Sequence, residues 1–368
     1  MKIRAFLFAV AVLLGVALTL VWSQTEQRQV ALIITNGIVV TMDAAGRTID
    51  DGAVAIDGTN IVAVDTADAI ARQFRGAETI DATGQVVMPG LINTHTHAPM
   101  VLYRGLADDM GLMEWLTKYI FPAEAKTVSP EFVRAGTRLA ALEMIQSGTT
   151  TYTDMYYFEE DIARETKTAG LRGVLGQTII QFPVADAKTP ADALARAERF
   201  IQQFQHDPLI VPAVAPHAIY TLDEPTLRNA RQLSKKYSVP TLIHLAETSD
   251  EVKMAQERFN ATPVGYLDRL GFLGVGVLAA HAVWVSDSDA AILQTRGVGV
   301  SHNPESNMKL ASGTAPVPAF LKAGIALGLA TDGAASNNDL DMFEAMRMAS
   351  LLHKHETRDP QAVSARAV

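Results

Sequence analysis

A chain of 368 residues with 48% hydrophobic and 19% charged content can bury a large core, which argues against disorder and suits one barrel with a small accessory lobe. A formal net charge of -9 without clustered Lys and Arg argues against a nucleic-acid partner and favours a small neutral or cationic molecule. The absence of cysteine excludes disulfide staples and Cys-ligated zinc.

The chain opens Met1-Lys2-Ile3-Arg4 and then runs without charge through residues 5–22, the layout of an export signal. Residues 1–24 are therefore expected to be a signal peptide, cut near Ser23, or a membrane anchor in which residues 5–22 form the tether. Either reading places the body outside the cytoplasm: periplasmic, secreted or membrane-anchored. Residues 25–85 follow as a small β lobe, with β-rich stretches at 31–42, 52–64 and 78–80 separated by Gly, Asn and Asp turns.

From residue 86 apolar strands alternate with helical segments, the pattern of repeated βα units. Strands are expected at 86–97, 149–155, 172–180, 209–217, 240–247, 277–284, 297–303 and 325–332. Eight such units predict an α/β fold, a (β/α)8 TIM-type barrel over residues 86–368, rather than an open sheet. Ser129-Pro130, Thr189-Pro190 and Thr262-Pro263 each set a capping hydroxyl before a proline at the first helical position. Residues 341–356 read as the helix after the eighth strand.

Catalytic groups of such barrels stand at the carboxyl ends of the strands, and the polar residues here fall there. His95 and His97 close strand one, His217 strand four, His244 strand five and Asp332 strand eight, while His281 lies in strand six and His302 follows strand seven. His95 and His97 are two apart on a strand, so both face one side. With His244 and Asp332 they supply about four ligands for one divalent ion, expected to be zinc, with iron or manganese equally open to this ligand set. Glu247, three residues beyond His244, is placed to move protons beside the metal, the alternative being a solvated surface carboxylate.

The run Met88-Pro89-Gly90-Leu91-Ile92-Asn93-Thr94-His95-Thr96-His97-Ala98-Pro99-Met100, with Tyr103-Arg104-Gly105, resembles the amidohydrolase superfamily branch of methylthioadenosine and S-adenosylhomocysteine deaminases and s-triazine chlorohydrolases. The resemblance continues in order through Pro216-His217, His244-Leu245-Ala246-Glu247, Ala280-His281, His302-Asn303-Pro304, Ser306-Asn307-Met308-Lys309-Leu310 and Thr331-Asp332-Gly333. It implies that His95, His97, His244 and Asp332 hold the metal, that Glu247 is the proton shuttle and that His281 steers the attacking hydroxide. Glu124 and His217 would contact substrate together with Glu247, Glu124 gripping a ribose, and Trp115 would wall the pocket or sit in the core. Binuclear members use a lysine near the end of strand four; residues 209–217 contain none, which favours a single ion.

The reaction implied is attack of metal-bound hydroxide on a ring carbon bearing an amino group, with protons relayed by Glu247 and Asp332. An adenosine-type nucleoside such as methylthioadenosine or S-adenosylhomocysteine fits; dehalogenation of a triazine and hydrolysis of a cyclic amide are the alternatives. Some relatives carry an arginine near the end of strand three, where this chain has Gln177, which weakens the case for a homocysteine carboxylate. Export also fits poorly with an intracellular methyl-cycle substrate.

The family continues past strand eight with segments that complete the β lobe, so residues 86–368 read as a truncated barrel unit, and a non-catalytic fragment is the competing hypothesis. His353 and His355 are expected as solvated cations near a helix C-terminus, His206 as a loop residue, and His302 as either pocket lining or a structural hydrogen-bonder. Oligomeric state is left open.

Overall fold

The computed structural model describes residues 27–368. The expected leader at 1–24 lies outside the described residues, and among these no helix is long and apolar enough to cross a membrane. The chain divides into two compact units at Pro89 and Gly90.

The first unit is a sheet of β1 (Arg28–Val40), β2 (Thr48–Asp57), β3 (Asn60–Thr66) and β4 (Phe74–Asp81), in the order β3-β2-β1-β4, with β5 (Val86–Val87) also paired to β1. Residues 52–64, expected as one β stretch, instead turn back on themselves at Gly58, whose φ of +60° suits glycine, and form the antiparallel β2–β3 pair. A helix at Ala67–Gln73, absent from the sequence reading, starts where Thr66 accepts the Ala69 N–H and packs Ile70 against Val30, Ile33, Ala53 and Ala55.

The second unit holds eight parallel strands in chain order: β6 (Leu91–Thr96), β7 (Thr149–Tyr156), β8 (Arg172–Ile179), β9 (Ile210–Pro216), β10 (Thr241–Leu245), β11 (Val277–His281), β12 (Gly299–His302) and β13 (Leu327–Leu329). First and last strands are bridged by Thr94 Oγ1 donating to Leu329 O at 2.8 Å and by the Asp332 N–H donating to His95 O at 3.1 Å. The fold is a (β/α)8 barrel. Residues 86–97 do not form one strand: Val86–Val87 belongs to the lobe sheet, and the barrel strand starts after Pro89-Gly90.

The three Ser/Thr-Pro starts are helix N-termini. Ser129 Oγ accepts the Phe132 N–H at 3.2 Å, Thr189 Oγ1 that of Asp192 at 3.1 Å and Thr262 Oγ1 that of Gly265 at 3.0 Å. Each cap stabilises by about 1 kcal/mol. The helices cover the barrel with apolar faces, as in Pro190–Phe204, which buries Ala193, Ala197, Phe200, Ile201 and Phe204.

His353, on the final helix Met342–Thr357, corrects the expectation of a solvated cation. It is buried, and its Nε2 lies 3.1 Å from Nε2 of the equally buried His302, so the two rings form a hydrogen bond between the helix and β12. The reason is tertiary: the helix turns this ring inward, while His355, two residues on, is exposed.

Candidate active site

Alternation along β6 sets its polar side chains on opposite sides. Thr96 turns outward and donates to Thr153 O at 2.9 Å and to Asp154 Oδ1 at 2.8 Å. The same Asp154 oxygen accepts the Ala98 N–H at 2.5 Å, so one buried carboxylate grips both residues that flank His97. His97 Nδ1 lies 2.7 Å from Met155 O, and His244 Nδ1 lies 2.9 Å from His217 O.

A carbonyl oxygen only accepts, so both Nδ1 atoms carry hydrogen and both Nε2 atoms present lone pairs. Those Nε2 atoms face each other at 3.3 Å. Beside them, His95 Nε2 is buried without a hydrogen-bond partner, and Asp332 Oδ1 lies 3.4 Å from Nε2 of both His95 and His97. Opposed lone pairs with an orphaned third nitrogen and a carboxylate beside them are unfavourable as they stand, and a single divalent cation among them removes the conflict. Burial drives the His95 imidazole down to about 4 and that of His244 well below its usual value, which keeps both neutral and able to ligate. Burial works to raise Asp332, but the adjacent His95, with His97 and His281, outweighs it and holds the carboxyl well below the usual range.

Three strand ends turn into the left-handed region with residues other than glycine. Ala246 has φ +50°, His281 +72° and Asp332 +65°. Each costs about 1 kcal/mol and needs support from its surroundings. After β10 the support is Glu251, whose buried carboxylate accepts the N–H groups of Ala246 at 3.1 Å and Glu247 at 2.9 Å. This turn brings Glu247 into the pocket, where burial and the nearby Asp332 push its carboxyl well above the usual range. His281 Nδ1 lies 2.9 Å from Asn307 Oδ1, leaving Nε2 to face Glu247 Oε2 at 3.7 Å and Asp332 Oδ2 at 4.0 Å. Asp332 is fixed by Ser306 Oγ donating to Oδ2 and the Gly333 N–H donating to Oδ1, both at 2.7 Å.

These groups open onto a pocket also lined by Glu124, Trp115, Tyr156 and His217, the His217 ring 4.8 Å from that of His244 between centroids. Trp115, Leu116 and Ile120 reach it from a π-helical turn at Trp115–Ile120, a widened helical geometry frequent at functional sites. Burial pushes the Glu124 carboxyl up to about 7 and the His217 ring down to about 3. Thr221 Oγ1 donates to Ala218 O, so at 3.0 Å from His217 Nδ1 it accepts that hydrogen and leaves His217 Nε2 as the free acceptor. His302 does not line the pocket; its partner is His353.

The sequence reading missed Asp154 and Glu251. Asp154 stands at the end of β7 and obeys the strand-end rule applied to the histidines. Glu251 sits in a Thr248-x-x-Glu pattern that announces a helix cap, and Thr248 Oγ1 does accept the Glu251 N–H at 3.2 Å. Its carboxylate, however, reaches past the cap to the turn that carries Glu247.

A model of the amidohydrolase family matches residues 86–367. The chain belongs to the amidohydrolase family. It is 47% identical over 337 residues to a 5-methylthioadenosine/S-adenosylhomocysteine deaminase of Syntrophobacter fumaroxidans, covering 92% of this chain and 77% of that one. Among solved structures, a zinc-bound adenosine deaminase from Xanthomonas campestris superposes with a TM-score of 0.91 at 39% identity, over 93% of this amidohydrolase and 78% of that chain. The atrazine chlorohydrolase of Arthrobacter aurescens superposes with a TM-score of 0.81 at 24% identity, over 90% and 78% of the two chains, a likeness of fold alone.

The relative from Syntrophobacter corrects the expectation of export. Nearly the whole amidohydrolase aligns with an enzyme named for 5-methylthioadenosine and S-adenosylhomocysteine, substrates that the leader reading fitted poorly. A periplasmic, secreted or membrane-anchored placement is overturned accordingly.

Proposed function

We propose that this amidohydrolase deaminates an adenosine-type nucleoside by hydrolysis, with the barrel of residues 86–368 as its catalytic unit and one divalent ion held by His95, His97, His244 and Asp332. The observation that carries this reading is the convergence of three imidazole nitrogens and Asp332 in one pocket with Glu247, whose carboxyl burial raises well above its ordinary value. The ion, which we take to be zinc as in the Xanthomonas enzyme, supplies when bound a water acidified to a pKa near 7.

Burial and the nearby Asp332 raise the Glu247 carboxyl well above its ordinary value, which favours its protonated form. It gives that proton to the ring nitrogen beside the amino-bearing carbon as water adds to the carbon. Of the two protons the water gives up, one restores Glu247 and the other passes through Glu247 and Asp332 to the departing amine, so the carbon–nitrogen bond breaks, ammonia leaves and a ring carbonyl remains. His281 Nε2, facing the pocket while Asn303 and Asn307 hold the opposite nitrogen, orients the incoming water. Glu124 accepts from sugar hydroxyls, His217 Nε2 accepts from the substrate, and Trp115 with Leu116 shuts out bulk water. Dehalogenation, cyclic amide hydrolysis and a non-catalytic fragment are less well supported, because deaminase relatives match at far higher identity than the triazine enzymes do.

Ammonia release by purified protein of known metal content, offered adenosine, methylthioadenosine, S-adenosylhomocysteine, guanine and an aminotriazine, tests the proposal. Glu247→Gln is expected to keep its metal and lose about 10²–10⁴-fold in kcat. Chloride release from a chlorotriazine in place of ammonia from any nucleoside would reverse it.

A further inference from the structure

A second cavity, of about 190 Å³, opens beside the pocket. Phe121, Glu124 and Tyr157 line both, so the Glu124 carboxyl stands at the junction of the two chambers. The outer walls are Phe182, Pro183 and Val184, with the Phe121 and Phe182 rings edge-to-face at 5.0 Å between centroids. No lysine or arginine is among the lining residues.

Charges behind this wall are already paired. Asp186 accepts the Phe158 N–H at 2.8 Å and the Gln177 amide at 2.9 Å, and it faces Arg196 Nε at 3.2 Å. Arg196 is bound on its other side by Glu160 and lies over the Phe158 ring, 4.9 Å from its centroid. Two carboxylates thus claim this guanidinium, and the charge left facing the cavity is the acid Glu124.

If the base lies against His244 and Glu247 and the sugar hydroxyls on Glu124, the substituent on the sugar's 5′ carbon is directed into the outer cavity. We propose that this cavity is a subsite for an uncharged, apolar 5′ substituent, and that it discriminates by charge against a tail ending in an amino-acid zwitterion. This rests on the functional reading above. A tail carboxylate brought here would meet aromatic and aliphatic walls beside another acid, with no lining cation to pair it. An uncharged thioether tail meets only favourable apolar contact.

The test compares kcat/KM of the full metal-loaded chain for adenosine, methylthioadenosine, 5′-butylthioadenosine and S-adenosylhomocysteine. The butylthio compound matches the homocysteine tail in length and separates charge from size. The two uncharged thioethers are expected within about fivefold of each other and about tenfold or more above S-adenosylhomocysteine, roughly the effect of one unpaired charge-bearing contact in a partly open site. Phe182→Arg, at a partly exposed position, and Pro183→Lys as an independent second variant, are expected to raise the ratio of S-adenosylhomocysteine to methylthioadenosine turnover at least tenfold. Equal use of S-adenosylhomocysteine and the butylthio compound by the unmodified chain overturns the subsite even if adenosine is deaminated. Failure to deaminate all four, adenosine included, overturns the functional reading and this inference with it.

Discussion

Replacing Glu251 with glutamine is expected to slow catalysis without removing the metal. The buried carboxylate accepts two backbone N–H groups, from Ala246 at 3.1 Å and Glu247 at 2.9 Å. An amide retains one acceptor oxygen and turns its NH2 toward the other N–H, which is then buried against a donor. Loss of a hydrogen bond to a charged group costs about 1.5–3 kcal/mol, and a stranded buried N–H about 1–3 kcal/mol more. Part of this is offset because burial already pushes the Glu251 carboxyl up to about 7, and glutamine has no charge to desolvate. A net loss of about 2–3 kcal/mol exceeds the cost of about 1 kcal/mol for holding Ala246 at φ +50°, so the turn relaxes and Glu247 moves. A displacement near 1 Å at a reacting group costs about 10²-fold in rate. Steady-state ammonia release, elemental analysis and thermal melting on one preparation check this. The expected result is kcat down about 100-fold, KM within about threefold, metal retained and a lower Tm. Normal kcat with a lowered Tm would refute the positioning role, and loss of the metal would shift that role from Glu247 to His244.

Gly136→Ala is expected to destabilise, against the usual gain of about 1 kcal/mol for alanine in a helix, because its Cβ would lie 2.5 Å from Pro99 O and 2.7 Å from Pro99 Cα. A denaturant midpoint higher than that of the unmodified chain would contradict this. The His302–His353 pair makes stability fall on acidification: burial lowers His302 to about 3 and His353 to about 4 from 6.5, so below about pH 6.5 the unfolded chain takes up protons that the folded chain refuses. His302 alone should steepen the loss by about 1.4 kcal/mol per pH unit between pH 6.5 and 4, and a slope unchanged in His302→Asn would count against it.

The barrel was legible because short apolar runs alternate with helical segments, several of the runs closing on a His, Glu or Asp, and that pattern is local. Its limits were not. Residues 240–247 and 277–284 read as continuous strands, yet β10 stops at Leu245 and β11 at His281, where Ala246 and His281 take left-handed backbone that apolar patterning does not report. The turn at Gly58 and the change of sheet at Pro89-Gly90 were missed for the related reason that β-rich composition does not say which strand pairs with which. His353 could not be read from its helix, since the partner that buries it lies on β12.

By itself the sequence determined the donor types and their order, His95, His97, His244, His281 and Asp332, because side-chain chemistry and the twofold alternation of a strand are properties of neighbouring residues. Only the tertiary structure decided that Asp332 comes within 3.4 Å of His95 and His97, that Glu251 aims Glu247, that Asp154 braces the segment around His97, and that the cavity beyond Glu124 lacks a lining cation. Those facts follow from closing the last strand onto the first and from helices that carry distant residues inward, long-range pairings that local sequence pattern does not encode.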